Sequence, residues 1–288
     1  MQTTENTGSG VAPLYAGITH GCDTHAHMIG DDADFPLAPK RAENPPSGGL
    51  EHWLGVYAAH LASLGLTRGV IVHSILYGLD NAVTAEAVRR LGRENFRAIG
   101  LVSKDVSEAE LDRLADQGFV GVRMNYVHGG VLDWDGAKRL APRLKARGMH
   151  LQMLLHTHQH MVELAPELAR FPTDVVIDHC GWPDVSQGPE QPGFQALLTL
   201  LHGGSVWLKL SGVFRFCRYP YTNADRFVER AVAANPERLL WGSDWPYLML
   251  GDATRPDVAN LAAAFLRVVP EQHRQTILAD NPQRLFGF

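Results

Sequence analysis

The stretch GCDTHAHMIG, residues 21–30, places Asp23, His25 and His27 at alternate positions of the chain. The surrounding residues are typical of the end of a β-strand, where alternate side chains point to the same face. Burying three polar groups on one face is costly unless they are hydrogen-bonded or used in function. We therefore expect this strand end to belong to a functional site whose other members lie elsewhere in the chain.

The rest of the chain alternates apolar, strand-like segments with amphipathic, helix-like segments, eight of each. The predicted strands lie within residues 18–28, 68–75, 96–102, 119–125, 150–156, 174–180, 205–212 and 238–245. The predicted helices lie within residues 50–65, 81–92, 107–118, 134–148, 160–171, 193–203, 223–236 and 257–269. This alternation predicts an α/β fold, a single (β/α)8 TIM barrel. The alternative is a doubly wound open sheet, which usually carries a glycine-rich phosphate turn that we do not find here.

The domain organisation predicted from the sequence is simple. Residues 1–13 form a polar segment without the basic and apolar regions of a signal peptide, and we expect a flexible tail there. Residues 14–288 form one barrel domain. The Pro- and Gly-rich stretch FPLAPKRAENPPSGG, residues 35–49, is a long loop on the side of the barrel where active sites are built, and we expect it to cover the site. Residues 271–288 are expected to dock the C-terminus.

Composition and charge exclude several classes of function. The net charge is −5 and no basic cluster is present, which argues against avid binding to nucleic acid or to an anionic membrane. The three cysteines are widely spaced and show neither a disulfide framework nor a CxxC metal pattern. No apolar run reaches transmembrane length. These features favour a cytoplasmic protein that acts on a small molecule, and a few local arginines are enough to bind an acidic one.

Polar residues cluster at the C-terminal ends of the predicted strands, where barrel enzymes carry their catalytic groups. Alternatives exist for single members of this set. A lone strand-end histidine is more often structural than functional, and Asp244 could cap the following helix. The convergence as a whole nevertheless favours a site. Its members, by strand, are His25 and His27; His73, Ser74 and Tyr77; Arg123 and Asn125; His156; Asp178 and His179; Lys209, Ser211 and Arg215; and Ser243 and Asp244.

The HxH motif on strand one, His179 on strand six and Asp244 on strand eight together resemble the amidohydrolase superfamily, and the resemblance covers nearly the whole chain. Further stretches narrow it to the branch that contains 2-pyrone-4,6-dicarboxylate lactonase and related sugar and muconolactone lactonases. These stretches are FPLAPKR, YGLDNAV, GVRMNYVHGG, VVIDHCGWPD, VWLKLSG, LLWGSDWP and DNPQRLFGF. No single stretch is specific, but the set is.

This resemblance implies hydrolysis of a lactone ring, usually one that bears carboxylates. It implies that Asp244 deprotonates the attacking water and that His25, His27 and His179 surround the scissile carbonyl. The residues predicted to bind substrate are Arg123, Arg215 and Ser74, which match carboxylate-binding positions of the branch, together with Asn125, Tyr77 and His156 at neighbouring strand ends.

Three departures from the branch concern the substrate more than the chemistry. A second arginine is expected shortly after Arg123, where VHGG stands instead. His156 stands where a tyrosine is expected, and AENPP lacks the usual aromatic residue before its two prolines. We therefore expect a small anionic lactone with one carboxylate, or with hydroxyls in place of a second.

The cofactor requirement follows from the resemblance only in outline. The pyrone-dicarboxylate enzyme works without a metal, whereas many superfamily relatives need one, so we expect no obligatory cofactor. The alternative is one divalent metal, zinc or manganese, at His25, His27, His179 and Asp244. With such a metal, a decarboxylase of the wider superfamily is the competing function, and a catalytically silent binding protein is a third hypothesis. A homodimer is compatible with the resemblance, but the sequence identifies no interface.

Overall fold

A computed structural model describes residues 12–127 and 130–288. Its centre is a sheet of eight parallel strands in the order β1 to β8. The strands are β1 Cys22–Ala26, β2 Arg68–Val72, β3 Phe96–Gly100, β4 Phe119–Asn125, β5 His150–Leu154, β6 Val175–Ile177, β7 Trp207–Leu210 and β8 Leu239–Trp241. The sheet closes on itself just beyond β8, where Ala26 forms a bridge with Trp245. The predicted (β/α)8 barrel is thus confirmed, and the open sheet is wrong.

The helices are α1 Leu50–Leu64, α2 Ala82–Leu91, α3 Glu108–Asp116, α4 Trp134–Lys145, α5 Val162–Leu168, α6 Pro192–His202, α7 Val213–Phe216, α8 Asp225–Ala234, α9 Val258–Val268, α10 Glu271–Gln275 and α11 Asn281–Phe286. Helices α1 to α8 lie between successive strands, and α9 to α11 follow the last strand. No helix of the described ranges is long and apolar enough to cross a membrane.

Two apolar layers hold the barrel together. The larger layer lies between the strands and the surrounding helices. The smaller fills the N-terminal half of the barrel interior with Cys22, Val70, Val72, Ile99, Val176, Trp207, Leu240 and Phe286. Because Phe286 belongs to α11, the C-terminus seals the bottom of the barrel, as predicted for residues 271–288. Alternate strand positions point inward, so polar side chains higher on the same strands face the opposite, C-terminal mouth.

The long loop between β1 and α1 crosses this C-terminal mouth. The amide of Ala38 donates to the carbonyl of Leu76 at 2.7 Å, beyond β2. Farther along, the Glu43 carboxylate accepts hydrogen bonds from the amides of Met249 and Gly251, beyond β8. The loop therefore spans from one side of the mouth to the other. Most of the predicted tail, residues 1–13, lies outside the described residues.

Candidate active site

Four predicted catalytic side chains meet at the C-terminal mouth, all of them buried. Asp244 Oδ1 lies 3.9 Å from His25 Nε2 and 3.6 Å from His27 Nε2. Asp244 Oδ2 lies 3.8 Å from His179 Nε2. The structure thus brings together residues from three strand ends that are far apart in the sequence.

Asp23 is not part of this group, and the expectation that it shares a face with the two histidines is wrong. The β1–β2 register shifts between Asp23 and Ala26, so the extra residue turns Asp23 outward while His25 stays inward. The Asp23 carboxylate accepts from the amide and the hydroxyl of Ser243, at 2.8 and 2.6 Å, and lies 3.5 Å from the Tyr57 hydroxyl of α1. Burial raises the pKa of Asp23 to about 6. Its role is to join β1 to the end of β8.

The backbone fixes these four residues against one another. The Asp244 amide donates to the His25 carbonyl and the His27 amide donates to the Trp245 carbonyl, both at 2.7 Å. Asp244 and His179 have φ values of 64° and 52°, a left-handed conformation that costs about 1–3 kcal/mol for such residues and is concentrated at functional sites. Asp244 does not cap a helix, because Asp257 occupies the N-cap of α9.

Two glycines let the backbone approach the rings of His25 and His179. A Cβ atom on Gly242 would lie 2.6 Å from the Cβ of His25. A Cβ atom on Gly212 would lie 2.5 Å from Nδ1 of His179. The sequence displays both glycines within GSDW and LSG, but spacing alone does not show that they underlie the histidines.

Hydrogen bonds leave acceptor atoms pointing into the site. His27 Nδ1–H donates a hydrogen bond to the Val72 carbonyl at 2.7 Å, which leaves Nε2 as the lone pair of a neutral ring. His25 Nε2 and Asp244 Oδ1 are buried without a hydrogen-bond partner among the described residues. Such atoms are costly unless a ligand, a water molecule or a cation engages them.

Two of the histidines are neutral at neutral pH. Burial lowers the pKa of His25 well below its usual value and lowers that of His179 to about 4. These rings therefore act in the site as uncharged groups. A neutral imidazole still offers one donor and one acceptor.

Asp244 is ionised because Arg215 holds it. Arg215 Nε donates to Asp244 Oδ2 at 2.6 Å, and another guanidinium nitrogen donates to the Leu248 carbonyl at 3.1 Å. Burial alone would raise the pKa of Asp244, but Arg215 and the neighbouring histidines outweigh it and hold the pKa well below the usual value. Oδ1 faces the site as a carboxylate oxygen able to accept a proton.

Arg123 also has a carboxylate partner within the protein, which the sequence did not suggest. One of its terminal nitrogens lies 3.2 Å from Asp178 Oδ2. Asp178 is fully buried beside Lys209 and Gln152, whose side chains point into the barrel. Sequence reasoning noted Asp178 and Lys209 without assigning them a role, and missed Gln152. Gln152 lies at an inward-facing position of the alternating pattern of β5, and this position could have identified it.

A pocket opens above these groups. Its polar lining contains Ser74, Arg123, Asn125 and Arg215 from the predicted binding set, together with His27 and His179. Its apolar wall consists of Ile75, Leu154, Trp182, Leu248 and Met249. Sequence reasoning did not single out this wall, since apolar residues at strand ends look like ordinary core.

Two predicted binding residues lie outside the lining of that pocket. The Tyr77 hydroxyl accepts from the Gly30 amide at 2.9 Å and donates to the Gly30 carbonyl at 3.0 Å, so it anchors the long loop. His156 packs edge-on against Trp182, with ring centroids 5.1 Å apart, and so supports the pocket wall. Residues 128 and 129 of the VHGG segment lie outside the described residues.

The fold and the His/His/His/Asp cluster at the barrel mouth define a barrel enzyme of the amidohydrolase type. The amidohydrolase family model matches residues 22–288, and the chain belongs to that family.

Similar proteins within the family are lactone hydrolases. A 4-sulfomuconolactone hydrolase of Rhizobium radiobacter is 36% identical, with 96% of this chain and 93% of the relative covered. A 2-pyrone-4,6-dicarboxylate hydrolase of Comamonas testosteroni is 31% identical, with 92% and 89% covered. The crystal structure of a probable 2-pyrone-4,6-dicarboxylic acid hydrolase from Acinetobacter baumannii, with citric acid bound, superposes with a TM-score of 0.81 at 26% identity and covers 94% of this chain and 100% of that chain.

Proposed function

We propose that this protein hydrolyses a lactone that carries an anionic group. The names of its relatives support the reaction class. The observation that carries the proposal is the pair of unpartnered, buried atoms Asp244 Oδ1 and His25 Nε2, 3.9 Å apart below a pocket lined by two arginines. Asp244 Oδ1 can act as a base, and the His25 ring can contact the reacting groups of the substrate and the water.

In this mechanism Asp244 accepts a proton from the attacking water and returns it to the leaving ring oxygen. Arg215 keeps Asp244 ionised by binding Oδ2, so that Oδ1 is free for the water. Negative charge develops on the carbonyl oxygen in the tetrahedral transition state. Preorganised donors at that oxygen are typically worth several kcal/mol. His179 Nδ1 lies 3.0 Å from the Ser211 hydroxyl and can accept from it, so His179 Nε2–H is placed to donate to the carbonyl oxygen, while the lone pairs of His25 and His27 are placed to accept from the attacking water.

Three of these residues, His25, His179 and Asp244, could hold one divalent metal, and His27 lies beside them. Two ligands each about 2.1 Å from a zinc ion lie at most about 4.2 Å apart. The separations from Asp244 to the three histidines, 3.6 to 3.9 Å, satisfy this limit, and the His25, His179 and Asp244 ligand atoms all lie within 4.8 Å of one another. Bound zinc or manganese would polarise the carbonyl and lower the pKa of water. We propose that the site binds one such ion.

The substrate we propose carries one carboxylate or comparable anion. Arg123 and Arg215 are each already paired with a protein carboxylate, Asp178 and Asp244. Arg123 Nε remains buried without a hydrogen-bond partner among the described residues, and it is available to a substrate anion. Ser74 and Asn125 add neutral polar groups to the lining, which suit hydroxyls or a carbonyl.

A substrate screen tests the proposal. Muconolactones, pyrone carboxylates and sugar lactones are incubated with the protein, before and after chelation, and acid release and carbon dioxide are both measured. Ring-opened acid supports the lactonase, whereas carbon dioxide would support the decarboxylase. No turnover of any carboxylated lactone by metal-replete protein contradicts the proposal.

Further predictions from the sequence belong to the same proposal: a barrel domain of residues 14–288, a cytoplasmic location and a homodimer. Size-exclusion chromatography with light scattering tests the homodimer directly.

A further inference from the structure

A charged network lies directly beneath His25, inside the barrel. Lys209, Asp178 and Gln152 are each fully buried there. Lys209 Nζ donates to the Thr24 carbonyl and to Gln152 Oε1, both at 2.8 Å. A buried ammonium and carboxylate are retained only when their hydrogen bonds are well satisfied.

The two oxygens of Asp178 have different neighbours. Oδ2 accepts from Gln152 Nε2 at 3.0 Å and lies 3.2 Å from a terminal nitrogen of Arg123. Oδ1 lies 3.3 Å from His25 Nδ1 and 3.7 Å from Lys209 Nζ. Oδ1 is buried and has no hydrogen bond in the described residues, and these two nitrogens are the donors that lie nearest to it. A buried carboxylate oxygen needs one of these two donors.

We propose that Asp178 is a positioning residue that sets the tautomer of His25. His25 Nδ1–H donates to Asp178 Oδ1, which leaves Nε2 as a lone pair aimed at the reacting centre. Gln152 and Arg123 orient the carboxylate, and Lys209 supplies its counter-charge. The functional meaning rests on the proposed hydrolase, in which the His25 lone pair faces the attacking water, but the tautomer itself does not.

The competing arrangement uses Lys209 as the donor. Lys209 Nζ lies 3.4 Å from His25 Nδ1, and a bond between them would place the ring proton on Nε2. That arrangement leaves Asp178 Oδ1 without its nearest donor, whereas Lys209 already has two short acceptors. A buried charged acceptor is more costly to leave unpaired than one proton of a well-bonded ammonium. The first arrangement is therefore favoured.

The substitution Asp178→Asn makes the proposal testable because the network fixes the orientation of the new amide. Donors from Gln152 and Arg123 hold the amide oxygen at the Oδ2 position. The amide nitrogen then faces His25 Nδ1 and donates to it, which forces the ring proton onto Nε2. In serine proteases an Asp→Asn change that imposes the wrong histidine tautomer lowers kcat by about 10⁴. We expect kcat to fall about 10³–10⁴-fold here.

The experiment is ¹⁵N NMR of the metal-free, full-length protein labelled at histidine, since the two ring nitrogens differ strongly in shift with protonation. Wild-type His25 is expected to carry its proton on Nδ1, and the variant on Nε2. His27 is an internal control: its Nδ1 partner is a backbone carbonyl, so its tautomer should stay the same in both proteins.

The double variant Asp178→Asn/Lys209→Met separates tautomer control from charge balance. It removes the unpaired ammonium that could unfold the single variant, while keeping the amide beneath His25. We expect it to regain stability, to keep the Nε2–H tautomer and to stay inactive. An Nε2–H tautomer in the wild type, an unchanged tautomer in the folded variants, or recovery of turnover in the double variant would each overturn the proposal. The first of these needs neither substrate nor a folded variant.

Discussion

The substitution Asp244→Asn tests the proposed base directly. Asn preserves the shape of the side chain, and its amide oxygen can still accept from Arg215 Nε, which lies 2.6 Å from Oδ2 in the native protein. It cannot take a proton from water. General-base catalysis contributes about 10²–10⁴-fold, so kcat is expected to fall by that factor. The loss corresponds to about 3–5 kcal/mol of transition-state stabilisation.

The same substitution also affects stability, and the structure bounds the effect. Arg215 is a buried cation whose only described carboxylate partner within ion-pair distance is Asp244. Breaking a buried ion pair costs about 3–5 kcal/mol when one charge is left uncompensated. Because Asn keeps one hydrogen bond to Arg215, we expect a smaller loss, about 1–3 kcal/mol in the free energy of unfolding. A domain of this size tolerates such a loss.

The assay follows acid release from the best lactone at saturation, alongside urea unfolding of the same preparations. Asp23→Asn is the matched control, since Asp23 is equally buried but hydrogen-bonds Ser243 on the outer side of β1. It should lose stability while keeping turnover within about tenfold, because it supplies no proton acceptor to the pocket. A folded Asp244→Asn protein with near-wild-type kcat would refute the mechanism.

Three other predictions use the same preparations. Arg123→Met should raise KM for an anionic lactone about 10–150-fold, because it removes one charged hydrogen bond of about 1.5–3 kcal/mol. An equal effect on a neutral lactone would show a structural role instead. The free energy of unfolding should fall as the pH drops from about 6.5 to 4.5. Burial in the folded protein lowers the pKa of His73 and His179 to about 4 and that of His150 to about 3. The unfolded chain therefore binds more protons than the folded protein in this pH range, and acid favours unfolding. Asp23, with its pKa raised to about 6, opposes this trend, but His25 and His60, whose pKa values are also lowered by burial, add to it. A flat urea-denaturation profile would contradict the prediction. Chelator-stripped protein should take up one equivalent of zinc and gain thermal stability, since a ligand that binds the folded state raises Tm; no uptake by elemental analysis would exclude the proposed metal site.

The periodicity of the sequence was sufficient to predict the fold and the ends of its strands. All eight strands lie within the predicted segments, because each is a short apolar run followed by polar residues. The same alternation brought His25, His27, His179 and Asp244 to one mouth. These predictions depend only on local patterns and on the general geometry of barrels.

What the sequence could not predict depends on contacts between distant segments. The bulge in β1 that turns Asp23 outward has no local signature, since the same residues fit a regular strand. The partner of Arg123 is Asp178, two strands away. The alternation of each strand predicts which side chains point inward, but it does not predict which of them form a pair. Tyr77 has the position of a binding residue, yet its hydroxyl is used by the backbone of Gly30.

The hydrogen bonds that join the two ends of the sheet also have a consequence for how the enzyme is assembled. His25 and Asp244 belong to the first strand of the barrel and to the segment after the last one, and the bond between their backbones is part of the seam. A chain emerging from the ribosome therefore holds its histidines long before it has a carboxylate to face them. Contacts of such long sequence separation form slowly, since the connecting chain must be ordered first. On the proposed mechanism a partly closed barrel lacks its base, so we expect turnover during refolding to begin only when the last strand closes.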